Sequence, residues 1–383
     1  ALCVLQLFAG CAKPIPKGRE IKLLHKFCEA RGDEPSLCSL HTRAPAWTEQ
    51  SALNSTSTQH RFQALLAQRP GGTKEYCGMV LNHVYALFVT LEALQPPVVV
   101  ESGVLTGQGT WLIRQVLPSA RIFALDPGVR LDKLVWRDTS SLTTYLVGRE
   151  NFTDFGALNW HALLSRRVAA RGLVVLDDHM SSVRRTAEAI DAGFGHIFYE
   201  DNWKYLGQGQ RSRIASDCYS PNTLCSSPLP LALPLGRESG TGSVLYQDHF
   251  GQTQLHISRS EHEANLAFLL GHVTAYFEFP ALFDACLHLK HPGPSGVARH
   301  AGASTADYDE LFADGRRPRA PRSRPALLSH LQASQLFGGR LDLISWSSYY
   351  PPYLQLKRRI NATLLHRTTP YLRGSFQAKH HLT

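Results

Sequence analysis

The sequence predicts an α/β domain in which a mostly parallel sheet carries helices on both faces, and three stretches predict it. Val98-Val99-Val100 is a β-branched run without polar interruption that ends in Glu101, as expected of a strand buried on both sides. Gly172-Leu-Val-Val-Leu176 is a second such run and ends in Asp177-Asp178-His179. Gly195-His-Ile-Phe-Tyr199 is a third and ends in Glu200-Asp201-Asn202. Segments of helical period alternate with these runs, the pattern of β-α-β units.

The elements follow in chain order. Tyr76 to Leu94 is apolar at helical spacing and reads as a helix packed on the sheet, because Asn82, His83 and Glu92 would be costly in lipid. After the valine run, Gly103, Gly107 and Gly109 allow a sharp turn, Thr110 to Leu117 has helical period, and Pro118 ends it. Arg121 to Leu125 reads as a second strand with Asp126 at its carboxyl end, and Thr144 to Val147 as a third. Asp154 precedes a helical run from Phe155 to Arg167, and Ser181 to Ala192 forms another helix. Beyond Tyr205, Ser226 to Gly242 reads as a loop, Ser243 to Tyr246 and Thr253 to Ile257 as further strands of the sheet, and Glu261 to Tyr276 as a helix. Gly, Pro, Ala and Arg dominate from His291 to Arg324, a composition that predicts a poorly ordered basic region. The segment from Leu327 onward has short apolar patches that predict no particular structure.

Glycine spacing in the first turn separates the cofactor classes. A dinucleotide fingerprint requires G-x-G-x-x-G, but Leu112 stands where the third glycine belongs, and a P-loop requires a lysine that this turn lacks. The arrangement is Glu101-x-Gly103-x-x-x-Gly107-x-Gly109, which resembles the first motif of class I S-adenosylmethionine-dependent methyltransferases. The resemblance implies a Rossmann-like fold and S-adenosylmethionine as cofactor. It implies that Glu101, Gly103 and Gly107 surround the methionine end and that Asp126 holds the ribose. It also places Asp154 near the adenine, with a helix N-cap as the alternative reading of that residue.

The acids ending the two later runs resemble the metal site of cation-dependent O-methyltransferases and of the cephalosporin-hydroxylase-like branch of the same fold. That resemblance implies magnesium or another divalent cation held by Asp177 or Asp178 together with Glu200, Asp201 and Asn202. Such a cation would chelate the acceptor's oxygens and acidify its hydroxyl. One departure concerns the base: the lysine that the catechol enzymes carry three residues after the aspartate is Ser181 here. His179 is the nearest replacement, with a strand-end histidine bonded to backbone as its alternative. The resemblance spans about Tyr76 to Tyr205, roughly a third of the chain.

Composition bounds the partners. The chain has 383 residues and a net charge of +9, concentrated in Arg316 to Arg324 and Lys357-Arg358-Arg359. No aromatic-interleaved RNA module or zinc finger accompanies that charge, so a solvated linker is favoured over a nucleic-acid arm. The eight cysteines include no C-x-x-C pair, which excludes a zinc ribbon; Cys28 with Cys38, and Cys218 with Cys225, would form local disulfides in an oxidising compartment. The apolar opening ALCVLQLFAGCA reads as the remnant of a signal or anchor, the one membrane link expected. With the sequons at Asn54, Asn151 and Asn361 it favours a secretory or Golgi-lumenal setting over cytosol.

The expectation is therefore an N-terminal segment over 1–58, a methyltransferase-like domain over 59–290, a linker over 291–326 and a C-terminal segment over 327–383. The expected activity is metal-assisted O-methylation of a small molecule or glycan. A hydroxylase-like enzyme and a non-catalytic binding module on the same fold are the alternatives.

Overall fold

The computed structural model describes residues 44–70, 79, 81–178, 180–200, 243–248, 253–280, 282, 327 and 352–357. Its centre is a seven-stranded sheet. Strands β1 (Val98–Ser102), β2 (Arg121–Asp126), β3 (Thr143–Val147), β4 (Leu173–Leu176) and β5 (His196–Tyr199) run parallel and lie in the order β3-β2-β1-β4-β5. The order reverses between β1 and β4, which puts the ligand crevice of an open α/β sheet at the carboxyl ends of those two strands.

The valine run shows why these residues make a central strand. Val98 and Val100 enter one core with Phe123, Leu125, Val174 and Ile197, whereas Val99 enters the other with Ile122, Val175 and Phe198. Each of the three valines is fully buried. Side chains alternate across a strand, so a strand covered on both faces must be apolar throughout, and each such valine contributes about 1.5–3 kcal/mol.

Helices cover both faces. On the face of Val99 lie α1 (Thr56–Leu66), which inserts Phe62, α2 (Leu81–Leu94), and α3 (Gln108–Val116), which supplies Trp111 and Leu112. On the opposite face lie α4 (Ser182–Ala192) and α5 (Arg259–His272). Both ends of α4 follow from sequence: the Ser181 side chain accepts from the Arg184 N–H at the start, and Gly193 takes the left-handed conformation, φ 82°, at the stop.

Three expectations are corrected. The continuous helix from Phe155 to Arg167 is instead three short turns, Phe155–Ala157, Trp160–Leu163 and Arg166–Ala169, because Asn159 and Ser165 each cap a new N-terminus with their side chains. The strands after Tyr205, β6 (Ser243–Asp248) and β7 (Thr253–Ser258), pair with each other as a separate antiparallel hairpin and do not extend the sheet. The helix read through Tyr276 stops at His272, and β8 (Val273–Glu278) begins directly; its Val273 and Tyr276 enter the core with α5 and its Phe277 the core on the opposite face, as in a strand buried on both sides.

The sheet is completed by β9 (Pro352–Leu356), which lies antiparallel between β5 and β8, although the arginine-proline tract intervenes in sequence. Among the described residues no helix is long and apolar enough to cross a membrane.

Candidate cofactor crevice

The crevice is built on the turn after β1. Gly103 has φ 96°, and a Cβ there would lie 1.9 Å from the Asp177 carbonyl oxygen, so glycine is required both by conformation and by the close approach of the β4 end. Gly107, with φ 83°, starts α3, and a Cβ on it would sit 2.1 Å from the Trp136 carbonyl oxygen. Between them Leu105 is also left-handed, φ 46°, which costs a non-glycine residue about 1–2 kcal/mol.

Asp126, half-buried at the end of β2, holds this turn in place. Its Oδ2 accepts the N–H groups of Val104 and Leu105, both at 3.0 Å, and its Oδ1 those of Gly128 at 2.8 Å and Val129 at 3.1 Å. A carboxylate offers about four lone-pair positions, and the backbone takes all four. The residue expected to face a ribose thus clasps the glycine turn.

Glu101 lies lower. It is buried at the end of β1, accepts a hydrogen bond from the Thr110 hydroxyl, and lies so close beneath α3 that a Cβ at Gly109 would meet its Oε1 at 2.1 Å. Burial pushes its carboxyl up to about 8, against the opposing effect of the Thr110 bond and with help from the nearby Asp126 charge. Burial under the turn thus favours its neutral form.

The acids after β3 and β4 are gathered by a residue that sequence reading missed. Arg185, on α4 and 2% exposed, donates from Nε to Asp178 Oδ2 at 2.8 Å, from Nη2 to Asp154 Oδ1 at 2.8 Å, and from Nη1 to Asp154 Oδ2 at 3.0 Å and Glu188 Oε2 at 2.7 Å. Ser102 donates to the same Asp178 oxygen at 2.6 Å. Asp154 also accepts from Gly156 N as the cap of its turn, so the N-cap reading of this residue is the one observed. Burial would raise the Asp154 carboxyl, but the hydrogen bonds and charge of Arg185, with Arg184 and the Gly156 N–H, outweigh it and hold it at about 2. The one sequence signal for this network was Arg184-Arg185 with Glu188 one turn later, which also describes an ordinary solvated helix face.

Glu200, at the end of β5, is buried and pairs with His83 Nδ1 at 2.5 Å; His83 comes from α2 and is wholly buried. Asp177 lies at the β4 end, where its N–H bonds Ser102 O and its carbonyl abuts Gly103. His179, Asp201 and Asn202 lie outside the described residues. A divalent cation needs carboxylate oxygens turned toward it, whereas Asp178 is turned to Arg185 and Glu200 to His83. Among the described residues no group of three or more His, Cys, Asp or Glu is arranged to hold a metal. The described part of the expected metal set does not fit a cation.

Strand order, the glycine turn after β1 and the acid ending β2 together define a Rossmann-like α/β protein. No family model matches the chain, and no curated protein sequence matches it either. Among solved structures it is similar to human N-acetylserotonin methyltransferase in complex with SAM, at 10% identity and a TM-score of 0.22. The similarity covers 48% of this chain and 49% of that one, so the chain spans about half of that enzyme's length.

Proposed function

We propose that this protein binds S-adenosylmethionine at the carboxyl ends of β1, β2 and β4 and transfers a methyl group to an oxygen of a small molecule or glycan. The observation that carries the reading is the Asp126 clasp on the glycine turn, placed where the strand order reverses. When bound, the cofactor supplies an electrophilic methyl group on a sulfonium.

The chain's own part is binding and positioning. Gly103 and Gly107 let the turn lie against β4 and the Trp136 backbone, and the left-handed Leu105 holds it folded over Asp126. Asp126 would hold the ribose diol, giving up its bonds to the Val104 and Leu105 N–H groups to do so. Glu101, kept neutral by burial, adds no negative charge beneath the turn. His179 is proposed to take the acceptor's proton.

The test is calorimetric titration of S-adenosylmethionine into the full chain in the presence of EDTA. Micromolar binding, with methyl transfer to some member of a phenol, catechol and glycan panel, is expected. Absence of binding to folded protein would overturn the reading in favour of a non-catalytic module. Oxygen- and reductant-dependent turnover would favour the hydroxylase alternative.

A further inference from the structure

The Arg185 cluster answers the metal question in its own terms. Asp178 Oδ2 takes Ser102 Oγ at 2.6 Å and Arg185 Nε at 2.8 Å, with Arg185 Nη2 also 2.8 Å away. That oxygen is already fully subscribed. Oδ1 takes the Met180 N–H at 3.3 Å, so a cation approaching Asp178 would find one monodentate oxygen beside a guanidinium.

The guanidinium is fixed there. All three of its nitrogens are engaged by Asp154, Asp178 and Glu188, its Cζ lies over the Phe155 ring at 5.9 Å from the centroid, and the residue is almost completely enclosed. Releasing it would leave three carboxylates with Arg184 as the cation bonded to two of them, Asp154 and Glu188. The neighbouring acid, Glu200, is held from the other face by His83.

We infer that Arg185 is the resident cation of this strand edge: its guanidinium occupies the place a divalent metal would take at Asp178, and the two exclude each other. It holds Asp178 and Ser102, and through them the facing ends of β1 and β4, in the alignment that the crevice needs. Arg185 is thus a positioning residue. The consequence for catalysis, cofactor binding and turnover without added metal, rests on the function proposed above; the exclusion of a cation does not.

The test is titration of the full chain with Mn²⁺, read by the loss of the free-ion paramagnetic resonance signal. It is run on wild type, Asp178→Asn, Arg185→Met and the double variant. Wild type is expected to leave the signal undiminished, and Arg185→Met to bind Mn²⁺ at least about tenfold more tightly than wild type, because the carboxylates lose their counter-charge. The double variant should lose that binding. Saturable binding by wild type that disappears in Asp178→Asn overturns the inference. So does a signal left undiminished by both wild type and Arg185→Met, since the guanidinium would then not be what keeps the cation out. Where circular dichroism shows Arg185→Met unfolded, Arg185→Gln, which keeps donors but no charge, takes its place with the same expected outcomes. The readout is metal occupancy, so it stands apart from S-adenosylmethionine binding in EDTA, whose failure would strike the proposed function alone.

Discussion

Replacing Asp126 by Asn changes one oxygen to an amide and leaves the shape intact, and the structure says what that costs. The Oδ2 pair consists of the part-buried Val104 N–H and the exposed Leu105 N–H; the Oδ1 pair consists of the part-buried Val129 N–H and the exposed Gly128 N–H. Whichever way the amide turns, its NH₂ meets two donors, one of them removed from water. Water can repair the exposed one. The part-buried one goes unsatisfied at about 1–3 kcal/mol, and the two surviving bonds lose their charge assistance. The expected loss is about 2–3 kcal/mol in Asp126→Asn and more in Asp126→Ala, which leaves two part-buried donors orphaned. Urea unfolding of both variants measures it, with the slope compared to confirm that the same surface unfolds. An Asp126→Asn variant within about 0.5 kcal/mol of wild type would mean that the clasp is not made in solution.

Two further outcomes follow from the same crevice. Glu101 has a folded-state value of about 8 against an ordinary 4.5, so its contribution is fully present below about pH 4.5 and is lost as pH rises toward 8. Glu101→Gln should remove up to about 1.4 kcal/mol per pH unit of that decline, and unfolding curves across this window that match wild type would show that the carboxyl is not buried neutral. Gly103→Ala should cost about 3 kcal/mol, from a left-handed φ plus displacement of the β4 end 1.9 Å away, whereas Gly193→Ala, with φ 82° but its nearest neighbour at 3.9 Å, should cost about 1–2 kcal/mol. Equal losses in denaturant would refute the close approach of β1 and β4.

The five parallel strands and the helices α2, α3 and α4 were legible because each obeyed a local rule, whereas α1 carried no signal that was read. The valine run could be buried on both faces, Pro118 and Gly193 stopped helices, and Ser181 started one. The acids at strand ends were legible as positions but not as partnerships. Asp178 is matched by an arginine on the next helix, Glu200 by a histidine from the helix before β1, and Asp126 by backbone N–H groups that carry no letter in the sequence. Carboxylates at a crevice look alike in sequence whether they await a ligand or already have a counter-ion. The short turns after Asp154 misled because Phe155, Trp160 and Val168 keep an apolar spacing while Asn159 and Ser165 restart the backbone. Strand β9 was illegible because five apolar and polar residues beyond a long basic tract look the same as any loop; only the open edge of β5 gives them a place.

That place has a consequence for how the molecule is made. Ribosomal synthesis delivers β8 well before β9, yet β8 has no neighbour in the sheet until Pro352–Leu356 has emerged and entered between it and β5. Until then β5 ends the sheet with an unpaired edge carrying Ile197 and Phe198, a template for pairing with other chains. Among the described residues the strand latest in sequence is therefore an internal one, and a product that terminates before Pro352 retains the crevice residues of β1, β2 and β4 while leaving an adhesive border on the sheet.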